Sequence, residues 1–150
     1  ALVYFKSISS GRHNTKIKFA ITQPGKEKVL LPLNMKEIIH PYSDEVGAQI
    51  KTYSLEEMLA EKIRSLFQRT RPRDLYDVWR LRNRVNRERV ADILPEKCES
   101  KGVTVDISIL HRKRGEHEKA WAASLVHQLD RLPDFDRVYG EVIEIVAERL

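Results

Sequence analysis

Five charged side chains fall close together in this chain at spacings that can bring them to one place: Lys62, Arg69, Arg73, Asp74 and Asp77. Lys62 is the unusual one. Leu55, Met58, Leu59, Ile63, Leu66 and Phe67 recur at helical spacing and make one apolar stripe. At about 100° per residue, Lys62 projects into the middle of that stripe, between Leu55 and Leu66. Arg69 follows one heptad on, almost in line. A long cation aimed along a core face needs an anionic partner, and Asp74 and Asp77, three residues apart, are neighbours on one side of the next helix. The cluster has two readings. In one, Lys62 snorkels to solvent, Asp74 complements a helix N-terminus and Asp77 pairs with Arg73 or Arg80 on the surface. In the other, the five groups share a seam and form a site. Lysine in mid-stripe is what the first reading explains least.

The elements that would position these groups are legible around them. Ser54 is a good N-cap, and Glu57 three residues later completes a capping box that opens the first helix. Pro72 fits the first position of a second helix, where its missing N–H costs nothing, and it pushes the preceding residue out of helical geometry. Leu75, Val78, Trp79 and Val85 mark the buried face of that second helix. Asp74 sits on the edge of the face and Asp77 just beyond it. The product is an αα-hairpin with a basic turn, Arg69-Thr-Arg-Pro-Arg73.

Two kinds of pattern follow each other along the chain. Residues 1–53 read as β-rich, with strands over Leu2–Ile8 and Lys16–Thr22 and a turn at Gln23-Pro-Gly-Lys26 leading to a third strand over Lys28–Leu33. In the second strand Ile17, Phe19 and Ile21 share one face, and Lys16, Lys18, Ala20 and Thr22 the other. Residues 54–150 read as a helical domain. Beyond the hairpin, a helix over Arg87–Glu99 turns Val90, Ile93 and Leu94 inward; Pro95 either kinks or shortens it, and Gly102 marks its end. Further helices span Glu116–Leu129, with Trp121, Leu125 and Leu129 in register, and Asp134–Leu150, with Phe135, Val138, Val142, Ile145 and Val146. The fold class is α+β, sheet first and helical bundle second.

Composition narrows the setting. At 150 residues the chain buries a real core without disulfides, and its single Cys98 cannot bridge internally. No run approaches the ~18 apolar residues of a membrane span, and a cytoplasmic location is expected. The formal charge of +5 favours acidic partners mildly. Basic clusters at Arg69–Arg73, Arg80–Arg89 and His111–Arg114 either track phosphates or are solvated faces. Other chemistry is poorly served. His111 and His117 are six apart, without regular metal spacing, and no serine, cysteine or histidine is placed for a nucleophilic triad. Trp79 and Trp121 fall at core positions. Asp134 and Asp136 open the last helix, where capping accounts for them.

The order Lys62…Arg69…Arg73-Asp74-x-x-Asp77 resembles the third and fourth motifs of the AbiEii/AbiGii-type nucleotidyltransferase toxins. His40-Pro-Tyr-Ser-Asp44 and Leu132-Pro-Asp-Phe-Asp136 sit where that family carries similar phrases. The resemblance implies the remnant of a DNA polymerase β-like nucleotidyltransferase sheet followed by a C-terminal helical bundle. It also implies transfer of a nucleotide from a nucleoside triphosphate to RNA, in relatives the 3′ end of tRNA. A toxin–antitoxin or abortive-infection setting, with an antitoxin protein as partner, comes with it. On this resemblance Lys62, helped by Arg69 or Arg73, binds the nucleotide's triphosphate. Asp74 and Asp77 are the catalytic candidates, which hold the hairpin in register or orient the acceptor hydroxyl. The family's Gly-Ser turn and magnesium-binding Asp-x-Asp strand have no counterpart here, and Ala20 stands where a third carboxylate is expected. The chain thus reads as the C-terminal part of a longer protein, with Mg²⁺ expected for the complete protein, its ligands outside this chain, and no activity from this chain alone. The alternative is a non-catalytic helical module that binds RNA or an antitoxin, its Lys–Asp cluster purely structural.

Overall fold

The computed structural model describes residues 2–6, 14–18, 25–39 and 47–148. In chain order these form β1 (Leu2–Lys6), β2 (Asn14–Lys18), β3 (Asn34–Glu37) and β4 (Gln49–Thr52), followed by α1 (Leu55–Gln68), α2 (Pro72–Leu81), α3 (Arg87–Glu99), α4 (Ile107–Leu125) and α5 (Phe135–Ala147). The chain is α+β, as its patterning predicts.

The strands make two separate antiparallel ladders. β1 pairs with β2, Tyr4 opposite Lys16, and β3 pairs with β4, Lys36 opposite Ile50. β1 and β2 lie inside or beside the first two predicted runs, whereas Ala20 and the outer ends of those runs fall outside the described residues. The third expected strand is not one. Lys28–Leu33 is irregular, and β3 and β4, which the sequence patterning does not reveal, pair instead. Pro32 cannot donate to a ladder. The amides just before it have a different acceptor, because Leu30 N and Leu31 N donate to the Glu57 carboxylate at 3.1 and 3.0 Å.

That contact also corrects the capping box. Ser54 caps α1 as expected, its hydroxyl accepting from Glu57 N at 3.1 Å. The Glu57 side chain does not reach back to the cap. It turns inward, only 1% of the residue exposed, and pairs with the equally buried Lys97 of α3, whose ammonium also donates to the Lys28 carbonyl. One buried ion pair therefore ties α1, α3 and the irregular 28–31 segment together.

The helical core follows the apolar stripes. Leu59, Ile63, Leu66 and Phe67 of α1 are buried, but Met58 is exposed at the stripe's edge. Leu75 and Val78 of α2 are buried and Trp79 is half-buried. Val85 packs on the core from the turn after α2 instead of from its helical face. α3 has its predicted bounds and accommodates Pro95 within them. Past its end Gly102, at φ 60°, adopts the left-handed conformation that lets Val103 N return to the Cys98 carbonyl at 2.9 Å. α4 begins at Ile107, well before the predicted start at Glu116, with Asp106 capping it through Ser108 N at 2.9 Å. It ends at Leu125, leaving Leu129 in the following loop. α5 is capped by Asp134, which accepts from Arg137 N at 2.9 Å. Its Val138, Val142, Ile145 and Val146 are buried, and Phe135 meets Trp121 edge-on at 5.7 Å.

Candidate functional site

The α1–α2 turn creates the site by sharp backbone geometry. Arg69 leaves α1 in an extended conformation, its N–H still returning to the Ser65 carbonyl at 3.0 Å. Arg71 is extended as well, as the residue before a proline prefers, and Pro72 starts α2. α4 fixes this turn from the side. Lys113 Nζ donates to the Phe67 carbonyl at 2.9 Å, satisfying a free carbonyl at the end of α1, and Thr70 donates to Glu116 at 3.0 Å.

Asp74 is the centre of the cluster, with its side chain only 3% exposed. Its Oδ1 accepts from Lys62 Nζ at 3.0 Å, and its Oδ2 accepts from Arg69 Nε at 2.8 Å. Lys62 Nζ also lies 2.6 Å from Asp77 Oδ2. The seam expected from spacing therefore exists for Lys62, Arg69, Asp74 and Asp77. Arg73 is exposed, makes no ion pair among the described residues, and lines the cleft beside them. The snorkelling reading of Lys62 does not hold: its ammonium bridges two carboxylates.

Burial and pairing oppose each other here. Burial works against ionisation of Asp74, but the hydrogen bonds from Arg69 and Lys62 together outweigh it and hold the carboxyl below its ordinary range. Burial likewise works against charge on Lys62, and Asp77 and Asp74 overcome it, raising the ammonium above its ordinary value. Asp74's depressed folded-state value contributes stability above the ordinary carboxylate value near ~3.9, and that contribution is lost as pH falls through the folded value. We expect Asp74→Asn to lower stability at neutral pH by about 1.5–3 kcal/mol, the range for a hydrogen bond to a charged group. In urea melts the gap to wild type should close below about pH 4; a gap that persists into strong acid refutes this assignment.

Lys62, Arg69, Arg71, Arg73 and Asp74, with Pro72 and Ser124 of α4, line an open cleft of about 430 Å³. Four cations line it with one carboxylate, Asp74, and a second, Asp77, pairs with Lys62 from beside the lining. Arg71 and Arg73 have no acidic partner among the described residues. The cleft thus carries an excess of positive charge, from Arg71 and Arg73, of the kind that attracts anions. It is not built to hold a divalent cation. Both carboxylates are already occupied by Lys62 and Arg69, and the described residues contain no group of three or more His, Cys, Asp or Glu side chains able to bind a metal.

One residue behind the site is not among the predicted site residues. His117 of α4 is 1% exposed, and neither ring nitrogen has a hydrogen-bond partner among the described residues. Burial, reinforced by Lys113, lowers its pKa against the opposing pull of Glu116 and Asp74. The imidazole is neutral in the fold and takes up its proton on unfolding below about pH 6.5, so its contribution falls as pH drops through that value. We expect His117→Leu to be neutral or stabilising at pH 7 and to flatten the decline in stability as pH falls below about 6.5. An unchanged decline in denaturation melts over that range would assign it elsewhere. A signal for it exists in the sequence: His117 lies four residues before Trp121 and eight before Leu125, on the same buried stripe of α4.

In the other two basic clusters Arg82 and Arg114 are among the engaged cations. Arg82 lies over Trp79, 4.6 Å from the ring centroid, and Arg114 pairs with Glu118 and Asp136. Trp121 is core, donating to the Pro133 carbonyl at 3.0 Å. His40–Asp44 lies outside the described residues, and in Leu132–Asp136 the first aspartate is a cap. No helix among the described residues is long and apolar enough to cross a membrane.

The α+β chain ends in a helical bundle and holds a lysine between two carboxylates beside an arginine-lined cleft. Residues 4–141 match the family described as nucleotidyl transferase AbiEii toxin, type IV toxin–antitoxin system, and the chain belongs to that family. No curated protein and no solved structure matches it.

Proposed function

We propose that this chain supplies the triphosphate-gripping part of a nucleotidyltransferase toxin that moves a nucleotide from a nucleoside triphosphate to RNA, with tRNA as the acceptor. The observation that carries the reading is the cleft where Lys62, Arg69, Arg71 and Arg73 outnumber Asp74 and the adjoining Asp77. Phosphoryl and nucleotidyl transfer rest largely on positioning and charge stabilisation, and a fixed cation beside a triphosphate provides both. Lys62 grips the triphosphate, and Arg69 and Arg73 add charge from the turn. Asp74, almost wholly buried, holds Lys62 and Arg69 in place. Asp77, with its side chain 37% exposed, remains reachable and orients the acceptor hydroxyl. Magnesium, used generally by such enzymes, needs carboxylates other than these two.

Family membership brings an antitoxin partner, and the reading places the protein in the cytoplasm. A second reading, a non-catalytic module binding RNA or antitoxin, draws on the same saturation of Asp74 by two cations. The two differ in an assay with Mg²⁺, each labelled nucleoside triphosphate and tRNA. Residues 1–150 should leave the tRNA unlabelled, while the complete protein should label it. Transfer by residues 1–150 alone would overturn the division of labour proposed here, and a complete protein without transferase activity would favour the second reading.

A further inference from the structure

A second cleft opens one helical turn along α2 from Arg73. Tyr76, Trp79 and Arg80 form one wall, and Arg131, Asp134 and Arg137 of the α4–α5 loop and the start of α5 form the other. Its volume, about 450 Å³, matches that of the first cleft. The acidic groups nearby are already engaged. Asp134 Oδ1 accepts from Arg137 N at 2.9 Å, and Glu141 accepts from Trp79 Nε1 at 2.9 Å while pairing with Arg82 and, at 3.5 Å, with the Nε of Arg137, whose side chain stays largely exposed. Arg80 and Arg131 have no ion-pair partner among the described residues, so the cleft has free positive charge at both walls. The guanidinium of Arg137 lies 5.4 Å from the Trp79 ring centroid, and its outer face is a flat, cationic surface backed by an aromatic. Tyr76 stands beside Trp79, ring centroids 5.9 Å apart.

Free arginines flanking planar groups are the means by which proteins hold single-stranded nucleic acid, with phosphates on the cations and bases stacked on aromatic or guanidinium planes. We propose that this cleft is the seat of the acceptor RNA strand. The strand lies along α2, a base stacked on Arg137 and phosphates on Arg80 and Arg131, so that its end points past Arg73 towards Lys62. The proposal rests on the nucleotidyl-transfer reading for the direction of the strand, but the binding itself is separable from it. An acidic protein surface would use the same charges without needing the stacked planes, and the planes are what favour RNA.

The test uses residues 1–150 and a fluorescein-labelled single-stranded RNA decamer, followed by anisotropy over a salt series. Arg80→Glu combined with Arg131→Glu, both at the cleft surface, should weaken RNA binding by at least about tenfold. The same pair should reduce the salt slope by about 1.4, because each phosphate left without its cation on a single strand lowers the slope by about 0.7. Arg137→Lys keeps the charge but removes the plane, and should weaken RNA binding by several-fold with the slope unchanged. Binding of a fluorescent nucleoside triphosphate should survive these changes. Lys62→Ala should do the reverse, losing the triphosphate and keeping RNA within about twofold, which separates failure of this proposal from failure of the triphosphate site. RNA binding unaffected by the double charge reversal in a folded protein overturns the proposal. So does competition by polyglutamate of equal charge as effective as competition by unlabelled RNA, which would make the cleft a seat for an acidic protein.

Discussion

Replacing Lys97 with methionine, or Glu57 with alanine, should destabilise the protein by about 3–5 kcal/mol, the usual consequence of leaving one charge of a buried pair behind. Both side chains are almost completely shielded, at 5% and 2% exposure. Neither vacancy is easily solvated, and the loss reaches beyond the pair. Glu57 accepts the Leu30 and Leu31 amides, and Lys97 donates to the Lys28 carbonyl, so each change also frees backbone groups of the 28–31 segment. Of the two, Glu57→Ala should cost more, because it removes the acceptor of two amides as well as the nearer carboxylate of the ammonium, whose remaining carboxylate is Glu61 at 3.6 Å. The double variant Glu57→Leu with Lys97→Met should recover only part of the loss: an apolar pair removes the stranded charge, but the Leu30 and Leu31 amides and the Lys28 carbonyl stay without their partners. Urea denaturation of wild type, the single variants and the double variant measures the coupling. Simple additivity of the two single losses would mean that the groups do not act as a pair.

The second large effect concerns Lys62. If the proposed function holds, Lys62→Ala in the complete protein should reduce nucleotide transfer by about 10²–10³-fold or more, the range for removing one fixed donor from developing charge. A folding check must accompany the assay, because Lys62 also bridges Asp74 and Asp77. Arg69 remains on Asp74 in the variant, so the hairpin keeps one of its two clasps and the protein should stay folded. Lys62→Arg is the informative companion. It keeps the charge but not the compact ammonium that fits between two carboxylates, and it should recover stability more fully than activity.

The helical hairpin is legible in the sequence because several independent signals agree on it. Ser54 marks the cap, the stripe from Leu55 to Phe67 the buried face, and Pro72 the restart. Lys62 stands out against that stripe, and its partners follow from helical spacing. What the sequence hides has a common cause in long-range contacts. Glu57 obeys the capping pattern locally, but tertiary burial redirects its side chain to Lys97 and to a segment 26 and 27 residues away. Lys28–Leu33 has the apolar content of a strand, yet its amides are claimed by that same carboxylate. The first half of α4 is hidden because charges occupy the positions where a period would be read. His117 falls inside the predicted helix, in line with Trp121 and Leu125, yet its polar type draws no expectation of burial, although it is among the most deeply buried polar groups. The second cleft is invisible for a different reason: its walls come from α2 and from the α4–α5 loop, which sequence spacing does not bring together.

The central claim is that the arginine-lined cleft at Lys62 receives a triphosphate, and equilibrium binding tests it without requiring catalysis. Residues 1–150 should be titrated into a fluorescent nucleoside triphosphate, with inorganic tripolyphosphate as competitor and circular dichroism as the check on folding. The expected result is saturable binding to wild type, displacement by tripolyphosphate, and loss of binding in a folded Lys62→Ala variant. A folded Lys62→Ala protein that binds the triphosphate as tightly as wild type would contradict it.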